Sequence, residues 1–398
     1  MKYVVLIVDG ASGWPVPALD GRTTLEAART PNLDGLAREG VVGVADNVPE
    51  GMEVSSAVAC MSVMGFDPTV YYAGRGPIEA AAMGIELETG QVALRCNLVT
   101  VADGLMASYC AGGVSGAEAA DLLDALRQEL ADERFEFHNG VGFRHILTVR
   151  DGAELLTTAF SAAHDVTDRP VEDFAPKGPG AELIERLTER SKAIFSGHPV
   201  NRARISRGEL PVTQIWLFWP GARPERVPNF AAANQGRTAA LTSAVDLLRG
   251  LALQTGVDLV QIEGVTDDND NDFEGQMRGA LEALADHDVV FVHVEAPDEA
   301  SHAGNVQAKV EAVERVDALM VPQATALDGP VSLLVMPDHP TPLVTKTHAS
   351  EPVPFVMWGP GFAGNGAQLF TEEEARATGF AVAPGHLLLS KFLSGASS

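Results

Sequence analysis

The chain has 398 residues, 46% of them hydrophobic, and its formal net charge of −26 gives it a pI near 4.6. A protein this acidic lacks the basic surface that phosphate-rich partners require, which excludes nucleic acid and anionic membranes as expected partners. Its three cysteines form no Cys-x-x-Cys pair, so neither a disulfide framework nor a thiolate zinc site is indicated. Without a secretion-signal pattern or an apolar run of about 18 residues, we expect a cytoplasmic protein whose oligomeric state the sequence leaves open.

The first 90 residues predict alternating strands and helices. The apolar run 3–8 predicts a strand that ends at Asp9, and a helix is expected from Leu25 to Gly40. Within that segment, Thr30-Pro31 is typical of a helix start and Gly40 of a helix stop. A short strand follows, and then a loop that enters a further helix near Ser55-Ser56.

The pattern changes between residues 95 and 205. Short β-rich runs at 94–100 and 145–149 alternate there with amphipathic helical patterns at 117–129 and 181–195. From Gln214 the alternation of strands and helices resumes and continues to the end of the chain. These changes predict an α/β protein with a smaller α/β domain inserted in the middle.

We therefore expect a discontinuous main domain. Its first part is placed at residues 1–94, the inserted cap at 95–205 and its second part at 206–398. The main domain must be discontinuous because its candidate site residues lie near both ends of the chain. A cap inserted at a loop can cover a site and exclude water from it.

Acidic and imidazole side chains follow three of the predicted strands, at the ends of the apolar runs 3–8, 289–294 and 332–336. These side chains are Asp9, Asp298, His302, Asp338, His339 and His348. Ligands bind beyond the carboxyl ends of parallel strands, so we expect these groups to meet. Carboxylates together with imidazoles suit Mn²⁺, Zn²⁺ or Mg²⁺. Each residue alone has a plainer interpretation, as a helix N-cap or a structural histidine. The repetition at three strand ends favours a metal site.

Ser55 and Ser56 stand at the start of a predicted helix, where free N–H groups and positive potential are available. A serine at this position is most commonly an N-cap. The alternative is a nucleophile whose alkoxide is stabilised by a metal, with the phosphoryl group that it receives lying on the helix N-terminus.

With these residues in view, the chain resembles the cofactor-independent phosphoglycerate mutases of the archaeal type, in the alkaline phosphatase superfamily. The resemblance covers nearly the whole chain and includes the string His293-Val-Glu-Ala-Pro-Asp-Glu-Ala300. The other matching segments are residues 8–10, 21–27, 30–34, 49–52, 71–80, 95–100, 198–202, 337–342 and 351–355.

The resemblance implies an alkaline-phosphatase-like three-layer domain with a mainly parallel sheet, plus the inserted α/β cap. It implies an isomerase of glycolysis that converts 3-phosphoglycerate to 2-phosphoglycerate through a phosphoserine on Ser56, not Ser55. It also implies two divalent metal ions, with Mn²⁺ favoured over Mg²⁺, Zn²⁺ or Co²⁺. The ligands would be Asp9, Ser56, Asp338 and His339 for one ion, and Asp298, His302 and His348 for the other.

The cap is expected to hold the small phosphorylated acid that is the substrate. Arg144, His164, Asp165 and Arg202 match family strings, and Arg204 lies two residues further on. Arginine recognises carboxylate and phosphate through two parallel hydrogen bonds. The alternative is that these are ordinary surface residues.

Four positions depart from the family pattern as we expect it. The string Ser-Asp-Val-Ala-Asn reads Ser-Ala57-Val-Ala-Cys60, a His is replaced by Gly113, and the Lys of Glu-Gly-Lys is replaced by Gln276. None of these changes removes a predicted metal ligand. Because such positions are expected near the substrate, they favour a paralogue that acts on another small phosphate ester.

Three functions therefore stay open at this point. The first is the mutase or a close paralogue. The second is a metal-dependent phosphomonoesterase or a homoserine-kinase-like phosphotransferase. The third is a non-catalytic regulatory protein, against which the complete set of seven predicted ligands argues, because nothing else here requires those residues together.

Overall fold

The computed structural model describes residues 1–130, 134–224 and 227–395. The chain forms two compact units, one from Met1–Tyr72 with Arg226–Ser398 and the other from Ala73–Glu225. In the part of the chain that is described, no helix has both the length and the apolar character needed to cross a bilayer.

The described strands and helices alternate along most of the chain. The strands are β1 (Lys2–Val8), β2 (Val41–Ala45), β3 (Gln91–Ala102), β4 (Leu105–Ser108), β5 (Phe135–His138), β6 (Arg144–Arg150), β7 (Gln214–Ala222), β8 (Ala239–Thr242), β9 (Asp258–Leu259), β10 (Val289–Val294), β11 (Val331–Met336), β12 (Val353–Trp358) and β13 (Ala381–Val382). The α-helices are α1 (Thr24–Ala27), α2 (Pro31–Glu39), α3 (Ser56–Val63), α4 (Pro68–Tyr71), α5 (Arg75–Ala82), α6 (Gly116–Leu130), α7 (Ala181–Phe195), α8 (Pro199–Ser206), α9 (Phe230–Ala233), α10 (Asp246–Thr255), α11 (Phe273–Ala283), α12 (Ala296–Ala303), α13 (Val306–Arg315), α14 (Val321–Thr325), α15 (Glu372–Ala377) and α16 (Leu387–Ser394).

The first unit is built on a mainly parallel sheet with the strand order β13-β2-β12-β11-β1-β10-β8-β9. β1 lies inside this sheet, paired in parallel with β10 on one side and β11 on the other. β12 runs antiparallel to both of its neighbours. Apart from its first residue, β1 is buried, which explains its continuous apolar run: both of its faces are covered.

Helices cover both faces of this sheet. On one face, Leu6 shares a hydrophobic core with residues of α2, α11 and α13. On the other face, the ring of Tyr3 packs against Phe392 of α16 at 5.5 Å, and Phe291 packs against Phe230 of α9 at 5.7 Å. This helix–sheet–helix arrangement is the predicted three-layer α/β architecture.

The helix expected from Leu25 to Gly40 is two helices in the structure, so that prediction is wrong in detail. α1 ends at Ala27, and α2 begins at Pro31. Thr30 has φ −125° and ψ 57°, outside the helical region, because the residue before a proline is sterically disfavoured there.

The second unit contains an antiparallel sheet with the order β4-β3-β6-β5, in which β7 also pairs with β3. α6 and α7 contribute to the core of this unit, and they correspond to the amphipathic patterns predicted at 117–129 and 181–195. The predicted boundaries at 94/95 and 205/206 differ from the limits of this unit. α5 precedes the first boundary, and β7 follows the second, yet both lie within residues 73–225.

Arg204 connects α8 with the start of α6. Its side chain is 2% exposed, and its Nη1 lies 2.7 Å from Glu118 Oε2. Its Nε and Nη2 donate to the carbonyl oxygens of Leu210 and Ala111, at 2.9 and 2.8 Å. Arg207 also pairs with Glu118, at 2.5 Å. Glu118 therefore supplies the counter-charge of a buried guanidinium.

We predict that Glu118→Gln destabilises this unit by about 2 kcal/mol at pH 7, less than a fully buried pair because Glu209 stays near Arg204. Burial alone would raise the pKa of Glu118, but hydrogen bonds from Ser115, Arg207 and Arg204 lower it to about 2. A depressed carboxyl pKa stabilises the fold above the unfolded value and ceases to do so as the pH falls toward 2. Urea unfolding should therefore show the difference from wild type shrinking from pH 5 to pH 2.

The matched control is Glu182→Gln, since Glu182 is an exposed acid in the first turn of α7. It should change stability little at any pH. A destabilisation by Glu118→Gln that stays constant with pH would contradict the ionic role of Glu118.

Candidate metal centre

Three neighbouring parallel strands end at one edge of the first unit's sheet. Val8 of β1 pairs with Val294 of β10, and the residue before it pairs with the end of β11. Asp9, Glu295 and Asp338 follow these strands, and all three are buried. The register of the sheet therefore brings three acidic side chains together, of which Asp9 and Asp338 were predicted from the strand-end pattern.

Asp298, His302 and His348 form the first group of candidate ligands. Asp298 and His302 lie one turn apart on α12, so their side chains share a face of the helix. His302 Nε2 is 3.0 Å from Asp298 Oδ2, and His348 Nε2 is 3.6 Å from the same oxygen. The two Nε2 atoms are 2.9 Å from each other.

The hydrogen bonds of these two histidines show which nitrogen carries the proton. His302 Nδ1 lies 2.9 Å from the carbonyl oxygen of Lys346, and His348 Nδ1 lies 3.0 Å from that of Val54. A carbonyl oxygen only accepts, so each Nδ1 is the donor, and in the neutral rings both Nε2 lone pairs face each other. That contact is stable only with a cation between the rings, either a proton or a metal ion. The donor set fits a metal ion.

Asp9, Ser56, Asp338 and His339 form the second group. His339 Nε2 is 3.2 Å from Asp338 Oδ2, 3.3 Å from Ser56 Oγ and 3.9 Å from Asp9 Oδ1. Two ligands bound at about 2.1 Å to one metal lie about 3.0–3.4 Å apart in octahedral or tetrahedral geometry. The spacings to Asp338 and Ser56 fall within this range, whereas the 3.9 Å spacing to Asp9 Oδ1 is wider. Asp9 Oδ1 has no hydrogen-bond partner among the described residues.

The two groups adjoin each other. The ligand atoms of Asp298, His339 and His348 lie within 4.8 Å of one another, and so do those of Asp9, Asp338 and His339. The rings of His339 and His348 stack with centroids 4.0 Å apart. The structure thus brings together all seven residues that were predicted as ligands.

Ser56 begins α3, and Ser55 is the residue that precedes it. Ser55 makes no side-chain cap to α3, and its hydroxyl donates to Glu53 Oε1 at 3.1 Å. Ser56 is buried and faces His339, at the end of the helix where N–H groups are free. The contacts therefore separate the two serines and favour Ser56 as the reactive one.

Buried charge dominates the electrostatics of this edge. Burial raises the pKa of Asp9 well above its ordinary value, and the charges of Asp338 and Asp298 raise it further. Burial alone would also raise the pKa of Asp298, but hydrogen bonds from His302 and His348 hold it well below the ordinary value. The edge therefore carries negative charge that its own side chains compensate only in part, a condition that favours divalent cations.

His293 was not among the predicted ligands, although it belongs to this centre. Its Nε2 lies 2.8 Å from Asp9 Oδ2, and its Nδ1 lies 3.0 Å from Ser243 Oγ. A carboxylate oxygen only accepts, so His293 Nε2–H donates to Asp9, and in the neutral ring Nδ1 accepts from the Ser243 hydroxyl. His293 thereby fixes the orientation of the Asp9 carboxylate.

Glu295 also joins the centre and was missed. The ligand atoms of Asp9, His293 and Glu295 lie within 4.8 Å of one another, so this third group could also hold a cation. Burial, and next the charge of Asp9, raise the pKa of Glu295. The available signal was the spacing of His293 and Glu295, which interrupt an apolar strand pattern two residues apart.

Three of the predicted substrate residues lie around one aromatic cluster in the second unit. Arg144 is exposed at the start of β6, with Cζ 5.2 Å from the ring of Phe143. The ring of Tyr109 packs against Phe143 at 5.7 Å and against His164 at 6.4 Å. Asp165 Oδ1 lies 3.7 Å from His164 Nε2.

The other two predicted substrate residues lie on α8. Arg202 is exposed and donates to the carbonyl oxygen of Gly197. The prediction for Arg204 needs correction. Its guanidinium is buried, and all three of its nitrogens bond to Glu118, Leu210 and Ala111. We therefore do not retain it as a substrate residue.

A second basic and aromatic arrangement in this unit was not predicted. Trp219 has φ 50°, a strained conformation for a bulky side chain, near an irregularity in the pairing of β7 with β3. Arg75 stacks on its ring, with Cζ 3.7 Å from the centroid. Arg75 and Arg95 both pair with the buried Glu79. No local pattern indicates this arrangement, since it depends on the pairing of distant strands.

Comparisons with known proteins show the family of this chain. A family model described as 2,3-bisphosphoglycerate-independent phosphoglycerate mutase matches residues 37–201. The protein of that name from Methanosarcina barkeri is 42% identical over 383 residues, covering 94% of this chain and 95% of the relative. The one from Methanothrix thermoacetophila is 40% identical over 399 residues, covering 99% and 100%. This chain belongs to that family.

Two solved structures have the same fold as this member of the mutase family. A protein from Pyrococcus horikoshii superposes with a TM-score of 0.83 at 25% identity, covering 100% of this chain and 98% of that one. A cofactor-independent phosphoglycerate mutase from Thermoplasma acidophilum superposes with a TM-score of 0.66 at 26% identity, covering 100% of both chains.

The four departures from the mutase pattern have different surroundings in the structure. Cys60 is buried in the metal centre, with Sγ 3.6 Å from Asp338 Oδ2. Gln276 is buried too: its amide donates to the carbonyl oxygen of His293 and accepts from Asn271. Through these contacts, Cys60 and Gln276 help to position Asp338 and His293. Ala57 is also fully buried, whereas Gly113 is exposed in the second unit.

Gly10 lies directly against this centre, and we predict that Gly10→Ala disrupts the centre. A Cβ there would lie 2.5 Å from Asp298 Oδ1 and 2.7 Å from Thr341 Oγ1, at a φ of 60°. The control is Gly21→Ala, where φ is 76° and nothing lies within 4 Å. Both variants bear backbone strain, and Gly10→Ala should cost about 1–3 kcal/mol more through overpacking. Thermal unfolding and Mn²⁺ titration measure the difference, and equal losses would contradict it.

Proposed function

We propose that this chain interconverts 3-phosphoglycerate and 2-phosphoglycerate by phosphoryl transfer through Ser56, with the help of two divalent metal ions. The observation that carries the proposal is the position of Ser56 Oγ. It lies at the first turn of α3 and 3.3 Å from His339 Nε2, within a complete set of carboxylate and imidazole donors. Membership in the mutase family supplies the substrate class.

Asp9, Ser56, Asp338 and His339 would hold one metal ion, and Asp298, His302 and His348 the other. The donor set is mixed carboxylate and imidazole, which suits Mn²⁺ best and also admits Mg²⁺, Zn²⁺ or Co²⁺. When bound, such ions neutralise phosphoryl oxygens and lower the pKa of a serine hydroxyl.

Ser56 acts as the nucleophile in this scheme. Its Oγ loses its proton and attacks phosphorus, the bond between phosphorus and the glycerate oxygen breaks, and a phosphoserine forms. The released glycerate oxygen takes up a proton and becomes a hydroxyl, and the glycerate reorients. Its other hydroxyl then loses its proton and attacks the phosphoserine, the bond from phosphorus to Ser56 Oγ breaks, and Oγ is protonated again. The N–H groups at the start of α3 favour the phosphoryl group held there.

The protein orients its own reactive groups before substrate binds. Thr341 Oγ1 donates to Asp298 Oδ1 at 2.5 Å, so it accepts the Nδ1–H of His339 at 3.3 Å. That arrangement leaves the Nε2 lone pair of His339 directed at Ser56 and Asp338. In the second unit, Arg144, His164, Asp165 and Arg202 are our candidates for binding the glycerate.

We predict that Ser56→Ala abolishes interconversion of the two phosphoglycerates, with a loss of at least about 10³-fold. Ser55→Ala is the matched control, since Ser55 bonds to Glu53 outside the centre, and it should lose less than about tenfold. The assay incubates Mn²⁺-loaded protein with 3-phosphoglycerate and follows 2-phosphoglycerate and free phosphate. Equal losses in the two variants would contradict the assignment of Ser56.

The same assay on wild type tests the substrate. A kcat/KM for 3-phosphoglycerate above about 10⁴ M⁻¹s⁻¹ supports the mutase. Free phosphate as the main product would favour a phosphomonoesterase. A much higher rate on another small phosphate ester would favour a paralogue of altered substrate.

Removal of metal gives an independent prediction. Chelation should abolish activity and also lower thermal stability, because the buried carboxylates and facing imidazoles lose their compensating charge. Adding Mn²⁺ back should restore both properties. Activity that survives exhaustive chelation, checked by elemental analysis, would contradict the metal-dependent mechanism.

A further inference from the structure

Lys309 is a fully buried lysine on α13, a helix outside the predicted site. Its relative exposure is 0%, and it shares the inward face of the helix with the buried Ala312 and Val313. Its Nζ donates to the carbonyl oxygen of Ser12 at 3.2 Å and to that of Thr341 at 2.8 Å. Nothing in the mechanism above uses this ammonium group.

The two acceptors belong to the two loops that carry candidate ligands. Ser12 lies in the loop after β1, which begins with Asp9, and Thr341 lies in the loop after β11, which begins after Met336. The N–H of Thr341 also donates to the carbonyl oxygen of Ser12, at 3.1 Å. Lys309 therefore bridges the two loops at the point where they touch.

Thr341 carries this contact into the metal centre. Its backbone carbonyl is held by Lys309, while its hydroxyl donates to Asp298 and accepts from His339. In our assignment Asp298 belongs to the first ligand group, with His302, and His339 to the second, with Asp338. Movement of Thr341 would therefore change the orientation of both groups together.

The charge of Lys309 has no direct partner. In the described parts of the chain, no carboxylate lies within 4.0 Å of its Nζ. Burial lowers the pKa of Lys309 to about 8, although the charges of Asp298, Glu372 and Asp9 act against that shift. A buried ammonium without an ion pair is costly, so the contact with both loops is the function that accounts for its presence.

We propose that Lys309 is a positioning residue, which holds the loops after β1 and β11 together so that both ligand groups are preorganised for metal ions. The contribution to phosphoryl transfer rests on the proposed function, whereas the contribution to metal affinity is measurable without it.

The test is Lys309→Met, which keeps the apolar stem and removes the ammonium group with its charge and both hydrogen bonds. We expect Mn²⁺ and Co²⁺ affinity to fall at least about tenfold, the size typical of residues that orient metal ligands. The melting temperature of the metal-free protein should stay unchanged or rise, because a buried charge is lost. With 3-phosphoglycerate, kcat should fall while KM changes less than about threefold.

Lys2→Met is the matched control. The Nζ of Lys2 also donates to a backbone carbonyl, that of His287 at 2.7 Å, but it stands at the other end of β1. This variant should bind metal like wild type. A residue with a merely structural role at position 309 would lower the metal-free melting temperature and leave metal affinity unchanged.

Lys309→Gln provides a second variant that retains one donor without the charge. Its metal affinity should lie between those of wild type and Lys309→Met, and it keeps the proposal testable if the Met variant fails to fold. Metal affinity within twofold of wild type in the folded variants would overturn the proposal. If the wild type lacks mutase activity but the variants still lose metal affinity, the proposed function fails and the positioning role stands.

Discussion

Negative charge that is buried at one sheet edge is the constraint on which the first unit depends. Asp9, Asp298 and Asp338 are almost completely excluded from water, and Glu295 lies beside them. Such groups cannot all stay ionised in a poorly solvated site unless cations compensate them. Hydrogen bonds orient the Nε2 atoms of the histidines and the hydroxyl of Thr341 toward these carboxylates. The arrangement sacrifices stability of the metal-free fold for a site that is ready to bind.

The sequence predicts the parts of this architecture that depend on local pattern. The runs 3–8, 289–294 and 332–336 correspond to β1, β10 and β11. The segments after these strands carry six of the seven expected ligands, because a parallel sheet aligns its carboxyl ends, and Ser56 comes from the start of α3. α7 was predicted with its observed limits, since its amphipathic period is regular.

Other features could not be read from local pattern because distant partners decide them. The limits of the second unit follow from the pairing of β7 with β3, across more than a hundred residues of sequence. Arg204 has the same residue type as a substrate arginine, and only its burial against Glu118 shows that it is structural. His293 is the first residue of a string that matches the family. A single histidine in a strand, however, does not indicate that its partner is Asp9. Lys309 is a polar residue on the buried face of α13, and a hydrophobic pattern predicts an apolar residue there.

The order of strands across the sheet also determines when each strand can pair during synthesis. β1 is synthesised first, yet its neighbours β10 and β11 are made only after most of the chain, including the contiguous segment 73–225. That segment can fold while the ribosome is still at work, whereas β1 must wait for its partners. Asp9 and Ser56 therefore meet the other candidate ligands only after residue 348 has been made. A chain that stops before His348 holds an incomplete donor set, so the candidate centre cannot form in it.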